Sequence, residues 1–518
     1  MEGEALNIIV SDSVSDASPD SFVLTHSNWN DWWEFETQYF VEYVPWNGAP
    51  IELGSIKIGW AGENDGKIPD IPGSFNALSE RFFSLGQDES YYTSVMNLPN
   101  ATGMAFLRAI NDVVVRTDLF ARHRETKVMT KSLMRFVSEA SIVGQYLRIV
   151  SGKSKLAKFN AHYVERVTQT QTEEVSLPFL VSPNAVPPSN IHVLIGRNGS
   201  GKTRLLRRMA QSLIEDEPWA DHVFEIEGGT SARSAFSGVG FVSFSAFDRY
   251  PPLRAVNSGF NVFEVGLKKK VKVRSPEGKI KSTITIKNYR DIERDMGQAL
   301  NVCLSRSVDR WERAVETLGS DPQFRELDVT RLLDDLTKDG LSEEAGQLFG
   351  QMSSGHQIVL LTITQLVARL EERTLVLMDE PEGHLHPPLL ASLIRAMSTV
   401  LGEVNAFAIV ATHSPVILQE VPSACVNYVR RTQEGLRVSK PTIETFGENV
   451  GLLTREVFGL EVTGSGFYRL ISELLMEDDF SAEAVLERFG NSLGSEALAI
   501  VLASMRTPQA DSTPTSGN

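Results

Sequence analysis

The sequence predicts an α/β protein. Its parallel-sheet core is built around a phosphate-binding loop, with an antiparallel β part carrying a helical insertion before it and a mainly helical region after it. Three observations carry this expectation. The β-branched run Ile191–Ile195 ends in Gly196-Arg197-Asn198-Gly199-Ser200-Gly201-Lys202-Thr203 and passes directly into a helical run beginning at Arg204. The apolar run Thr374-Leu-Val-Leu-Met ends in Asp379-Glu380-Pro381. Well before both, Phe35–Val44 and Ile51–Ile58 come close to strict alternation around the turn Trp46-Asn47-Gly48, the pattern of a β-hairpin.

The chain has 518 residues, a net charge of −16 and a pI near 5.2. That length suits two or three domains. The acidic balance argues against a general nucleic-acid coat, so any such contact needs a local basic surface. Two distant cysteines, Cys303 and Cys425, allow neither a disulfide framework nor thiolate metal spacing, and point to the cytoplasm. Met1–Ala5 lacks the basic start of a signal peptide, and no apolar run has the length of a membrane span.

Taken in order, residues 1–20 read as a Ser/Asp-rich disordered start, and 21–190 as a β lobe with a helical insertion. Trp29, Trp32 and Trp33 suit core packing better than base stacking. Helical spacing covers Ala101–Val115 and Lys131–Val150, and strand character resumes near Val167–Val175. Pro183–Asn190 is a turn before the loop strand. Residues 191–425 form the core. Within it Val239–Phe244 is a second buried strand, 267–290 a hairpin and 291–370 a helical part. Nine basic residues and one acidic residue lie between Lys268 and Arg290. They suit either a phosphate-backbone contact or a solvated edge guarded by charge. Residues 426–505 read as mainly helical and 506–518 as a loose tail.

The loop fits G-x-x-x-x-G-K-[ST] in full, in the strand–loop–helix context that the motif needs. Its glycines let amides from Gly196 to Arg204 turn toward a phosphate chain, and the helix start adds partial positive charge. Lys202 would reach the β- and γ-phosphates, and the Thr203 hydroxyl would ligate Mg²⁺. Asp379 would hold the same ion, and Glu380 would orient or deprotonate the attacking water. Two further motifs are generic when taken alone. Met352-Ser353-Ser354-Gly355-His356-Gln357 opens the apolar run Ile358–Leu370, as a helix cap or an anion site does. Phe407–Thr412 ends in His413, and a lone histidine is more often structural than catalytic.

In this order the four motifs resemble the ATP-binding-cassette (ABC) ATPase superfamily: Walker A at Gly196–Thr203, a signature at Ser353–Gln357, Walker B at Leu375–Glu380 and a switch histidine at His413. The wording Ser-Ser-Gly-His-Gln, Asp379-Glu-Pro-Glu-Gly-His-Leu-His-Pro387 and Ala411-Thr-His-Ser-Pro415 resembles the RecF/SMC/OLD branch. Together with Phe446–Phe458 it resembles PtuA-like ATPases of bacterial anti-phage systems of the Septu and retron type. The resemblance covers roughly residues 190–500. It implies ATP and Mg²⁺ as cofactors and a head-to-tail homodimer, or a higher oligomer, around two ATP molecules. Ser353, Ser354 and Gly355 then act in trans. Asp379, Glu380 and His413 act in cis, with Glu380, His413 and Lys202 as the catalytic residues, and His386 lies where the D-loop that faces the other copy should be. It further implies a separate effector, a nuclease of the HNH type, because no nuclease constellation follows His413. Three alternatives remain open: a RecF-like repair ATPase acting directly on DNA, a transporter subunit, and an ATP-binding scaffold. The transporter reading lacks a Q-loop glutamine, near whose place stand Ser245 and Asp248.

Overall fold

A computed structural model describes residues 6–27, 34–62, 67–152, 158–169, 171–215, 217, 221–226, 232–245, 250–251, 253, 260–274, 280–333, 336–337, 340–463, 466–476 and 482–504. Residues 1–447 form one compact unit and 448–518 a second.

The first strands make a six-stranded sheet. They are β1 (Asn7–Val10), β2 (Ser21–His26), β3 (Gln38–Val44), β4 (Ile51–Trp60), β5 (Ser74–Phe75) and β6 (Phe82–Gly86), in the order β5-β1-β2-β3-β4-β6. β1 therefore lies inside the segment expected to be disordered. Ile8 is fully buried there and pairs in parallel with Phe22. Four residues of Asn-Ile-Ile-Val suffice, because pairing with β2 supplies the stability that the polar composition around them lacks. The β3–β4 hairpin forms as expected, with Tyr39, Val41 and Tyr43 facing the core. Trp29, Trp32 and Trp33 lie outside the described residues.

The helical insertion is more broken than its periodicity suggests. Helices span Glu89–Met96, Thr102–Ala109 and Thr117–His123. The second stops short of Val115 because Asn111 takes a left-handed conformation, φ 52°, and its side-chain amide donates to the carbonyls of Leu78, Ser79 and Phe82. The helix expected over Lys131–Val150 breaks after Leu133 and resumes at Glu139, capped by Ser138, as consecutive helical turns that run to Val150.

Strand character returns earlier than Val167, as β7 (Phe159–Glu165), followed by β8 (Val175–Val181). Among the described residues between them, Thr168 and Gln171 form an isolated bridge. With β9 (Ile191–Ile195) and β10 (His222–Ile226), these strands bring the core boundary forward from residue 191. β10-β7-β8 form a three-stranded sheet. Its Phe159, Tyr163, Leu177, Phe179 and Phe224 share one apolar core with Leu194 and with Leu205, Leu206 and Met209 of the loop helix.

The central sheet has seven strands. β11 (Gly238–Ser243) and β12 (Asn261–Gly266) lie at one edge. The hairpin β13 (Lys268–Arg274) and β14 (Ile280–Ile286) and the two-residue strands β15 (Leu336–Thr337) and β16 (Gly340–Leu341) pair outside it. β17 (Thr374–Asp379), β18 (Phe407–Thr412), β19 (Val426–Thr432) and β20 (Gly435–Ser439) complete the order β12-β11-β17-β18-β9-β19-β20. Every pairing is parallel except β19–β20. The core therefore extends past residue 425. The β-branched and aromatic Val426-Asn-Tyr-Val pairs with β9, and only after Gly447 does the chain become a separate helical unit. That unit buries Ile471, Val485 and Val501 between its helices Gly466–Met476, Ala482–Phe489 and Ser495–Ser504.

Leu375, Leu377, Phe407, Ile409 and Ala411 face the loop helix and the small sheet. Val376, Met378, Ala408 and Val410 are buried on the opposite face, where helix Pro387–Glu403 packs against β18. Such strands read as continuous apolar runs because both faces are covered. The helical part expected at 291–370 comprises Tyr289–Arg306, Val308–Leu318, Pro322–Glu326, Glu343–Gln351 and Ser354–Arg369.

Candidate functional site: a phosphate loop facing paired carboxylates

In an open parallel sheet, ligands bind beyond the carboxyl ends of the strands. The candidate residues collect there. β9 delivers Gly196–Thr203, β17 delivers Asp379 and Glu380, and β18 delivers Thr412 and His413. β18 lies between the other two, so the loop and the carboxylates reach toward each other across its end.

Arg197, Asn198 and Gly199 are exposed at the loop tip, and Arg204 is exposed on the first turn of helix Lys202–Glu215. Gly199 and Gly201 have φ of 78° and 96°, which only glycine takes without strain. A Cβ on Gly196 would stand 2.1 Å from the Val429 carbonyl oxygen, so β19 itself enforces that glycine. Lys202 is buried and its Nζ donates to the carbonyls of Gly196 (2.9 Å) and Arg197 (3.1 Å). Burial lowers its pKa, and Glu380, Asp379 and Glu382 oppose that shift. The Ser200 hydroxyl is buried inside the loop without a hydrogen-bond partner. The Thr203 hydroxyl donates to Asp379 Oδ1 at 3.1 Å.

These features fit a Mg²⁺-nucleotide. An ammonium resting on carbonyls and an orphaned hydroxyl beside an exposed loop tip are groups that a phosphate chain satisfies. One hydroxyl and one carboxylate suit Mg²⁺, which keeps water and phosphate oxygens in its other positions. Among the described residues no cluster of three metal-ligating side chains exists.

Glu380 is half exposed and adopts a left-handed backbone, φ 46°, held by its amide donating to the Ala411 carbonyl at 2.9 Å. A non-glycine residue in this region stores strain and is held by its surroundings. His413 Nδ1 lies 3.8 Å from Glu380 Oε1 and 3.2 Å from Glu382 Oε1. Glu382 was not singled out in the sequence, where it looks like one more turn acid. Its side chain is nearly buried and its Oε1 accepts from the Thr412 hydroxyl (2.6 Å) and the His413 amide (2.8 Å). It locks the end of β18 beside Glu380. The only hint was its place two residues after Asp379-Glu380.

The signature residues lie on another element. Ser353 caps helix Ser354–Arg369, and both serines are exposed while Gly355 is buried. A Cβ on Gly355 would stand 3.0 Å from the His384 carbonyl oxygen, so this turn packs against the one that follows Glu380. No glutamine closes β11: Ser243 stands at its end, in register with Asp379. Its hydroxyl is buried and unpartnered. Ser245 follows it, and Asp248 lies outside the described residues.

The basic hairpin keeps its expected pairing. Lys269 pairs with Asp291, and Lys287 with Asp295 at 2.7 Å, so two cations at its base are already neutralised. A cavity of about 660 Å³ lies near that base, between Tyr289, Arg290, Arg294, Glu343 and Gln347, and includes no residue of the phosphate loop. Among the described residues no helix is long and apolar enough to cross a membrane. Cys303 and Cys425 are buried and unpaired with each other.

The family described as "AAA domain, putative AbiEii toxin, Type IV TA system" matches residues 285–419. Protein ea59 of Escherichia phage lambda is 34% identical over 508 residues, covering 93% of this chain and 94% of that protein. Among solved structures, the ADP conformation of an ATP-binding cassette of an ABC transporter is 12% identical with TM-score 0.32, over 59% of this chain and 99% of that one. A nucleotide-free ATP-binding cassette from an ABC transporter is 11% identical with TM-score 0.29, over 58% and 96%. The sheet order and the placement of the motifs define the fold independently of these superpositions.

Proposed function

The chain belongs to the family of protein ea59 of Escherichia phage lambda, and from its ABC-type P-loop ATPase site we propose that it hydrolyses ATP and uses the γ-phosphate to clamp two copies together. The observation that carries this reading is the contact between Thr203 and Asp379 at 3.1 Å, with Glu380 and His413 beside it.

The loop amides from Gly196 to Arg204 bind the phosphate chain, and Lys202 turns its ammonium from the two carbonyls to the β- and γ-phosphates. Thr203 and Asp379 hold Mg²⁺, which when bound neutralises charge on the phosphate oxygens. Glu380 accepts the proton of the attacking water, and its strained backbone keeps the carboxylate at the strand end. His413, anchored through Glu382, hydrogen-bonds the γ-phosphate. Ser353 and Ser354, exposed at a helix start with Gly355 buried beneath them, meet the nucleotide of the second copy. A scaffold that only bound ATP would have no use for Glu380.

Phosphate release from Mg·ATP tests the reading. Lys202→Ala and Glu380→Gln are each expected to lower turnover by about 10²–10⁴-fold, with ATP binding retained in Glu380→Gln and lost in Lys202→Ala. Wild-type turnover unaffected by Glu380→Gln overturns it.

The wider role we propose is the ATP-driven sensor of a cytoplasmic defence complex whose damage is delivered by a separate nuclease. The PtuA-like motif wording and the toxin–antitoxin description of the matched family support it. Recovery of a stoichiometric nuclease with the tagged chain from its host is the expected result. Recovery of the chain alone on DNA favours a repair ATPase instead.

A further inference from the structure

The signature turn is tied to the turn after Glu380 by one buried carboxylate. Asp321 is 2% exposed. It caps the short helix Pro322–Glu326, accepting from the amides of Gln323 (3.0 Å) and Phe324 (3.1 Å) through Oδ1. The same oxygen lies 3.5 Å from His356 Nε2, on the signature helix. The other ring nitrogen, His356 Nδ1, lies against Ser353 Oγ. Asp321 Oδ2 lies 3.3 Å from Nε2 of His386, the residue that caps helix Pro387–Glu403. Between Glu380 and His386 runs only the turn that packs on Gly355. Burial works to raise the pKa of this carboxyl, but the Phe324 amide and His356 outweigh it and hold it below the ordinary carboxylate range.

Helix capping does not explain this arrangement. Asparagine or serine caps as well as aspartate, without the cost of a buried charge. The charge is useful where it faces two imidazoles at once. Both rings border surfaces assigned to the second copy: the Ser353–Gly355 turn and the turn leading from Glu380.

We propose that Asp321 is a positioning residue for ATP hydrolysis. It holds Ser353 through His356 and the Glu380–His386 turn through His386, so that the two surfaces meeting the second copy keep a fixed spacing. This rests on the ATP-clamp reading above. Asp321 touches no reacting atom. Its effect is to keep the γ-phosphate donors and the water-activating turn in register when the copies close.

The test is Asp321→Asn, which keeps the cap and the volume but removes the charge. A fluorescent ATP analogue is expected to bind the variant within about twofold of wild type, while kcat falls by about 10- to 100-fold. ATP-dependent self-association, read in a Glu380→Gln background, is expected to weaken. A second variant, His386→Asn, alters a half-exposed ring and so leaves folding intact. It is expected to lower kcat without shifting the melting temperature. Combined with Asp321→Asn it should add little, because the two residues act as one unit. Wild-type kcat in either single variant, or fully multiplicative losses in the double variant, overturns the proposal. Absence of ATP turnover in the wild-type protein is a different result. It removes the ATPase reading, and the proposal falls with its premise.

Discussion

The strand that leads into the phosphate loop carries a histidine in its core, and this gives a stability prediction with a defined size. His192, on β9, is 2% exposed, and its ring meets that of Phe179 edge-on at 5.2 Å. Burial, with the Lys440 charge adding to it, pushes the imidazole from 6.5 down to about 3. The folded-state pKa is depressed for a basic group, so the unfolded chain takes up a proton that the folded chain refuses. The stability is complete above the unfolded value and is lost as the pH falls from 6.5 toward 3. Linkage puts the loss at about 2 kcal/mol between pH 8 and pH 5, and about 5 kcal/mol once the pH is below both values. His192→Leu fills the site with an apolar group that does not titrate. Urea unfolding of both proteins at pH 8 and pH 5, followed by circular dichroism, isolates the term because other titrations cancel in the difference. Wild type is expected to lose about 2 kcal/mol more than the variant over that interval. Equal losses in both would refute the reasoning.

Three more expectations concern other parts of the chain. Arg310 is buried between Asp88, Glu89 and Glu403, so Arg310→Met removes the buried cation that faces all three and is expected to cost about 3–5 kcal/mol, seen as a lowered melting temperature. Burial raises the Asp112 carboxyl to about 7, so it stays protonated in the fold and stability declines as the pH rises from about 4 to 7. Asp112→Asn should flatten that decline in pH-dependent melting. Lys270 and Arg290 remain exposed at the basic hairpin. Reversing both charges is expected to weaken duplex DNA binding and to reduce the log–log salt slope by about 2, measured by fluorescence anisotropy. An unchanged slope assigns the hairpin to a solvated edge.

Local motifs made the phosphate site legible in advance. Gly196–Thr203 and Asp379-Glu380 each pack strand, turn and chemistry into eight residues or fewer, and the fold brings them together at the ends of β9 and β17. What was hidden depends on long-range placement. Nothing around Asp321 marks it out, because its partners His356 and His386 come 35 and 65 residues later. Glu382 looked like any turn acid until β18 brought Thr412 and His413 to it. β1 and β19 were missed because each takes its stability from a neighbouring strand. The insertion helices were overextended because apolar spacing continues through Asn111, where a side-chain amide captures three carbonyls and ends the helix.

In the proposed clamp the γ-phosphate joins two copies. Sedimentation of Glu380→Gln with Mg·ATP, with Mg·ADP and without nucleotide tests it most directly. A dimer or larger assembly is expected with Mg·ATP alone, abolished by adding Ser353→Arg on the signature turn. A sedimentation profile identical under all three conditions would contradict it.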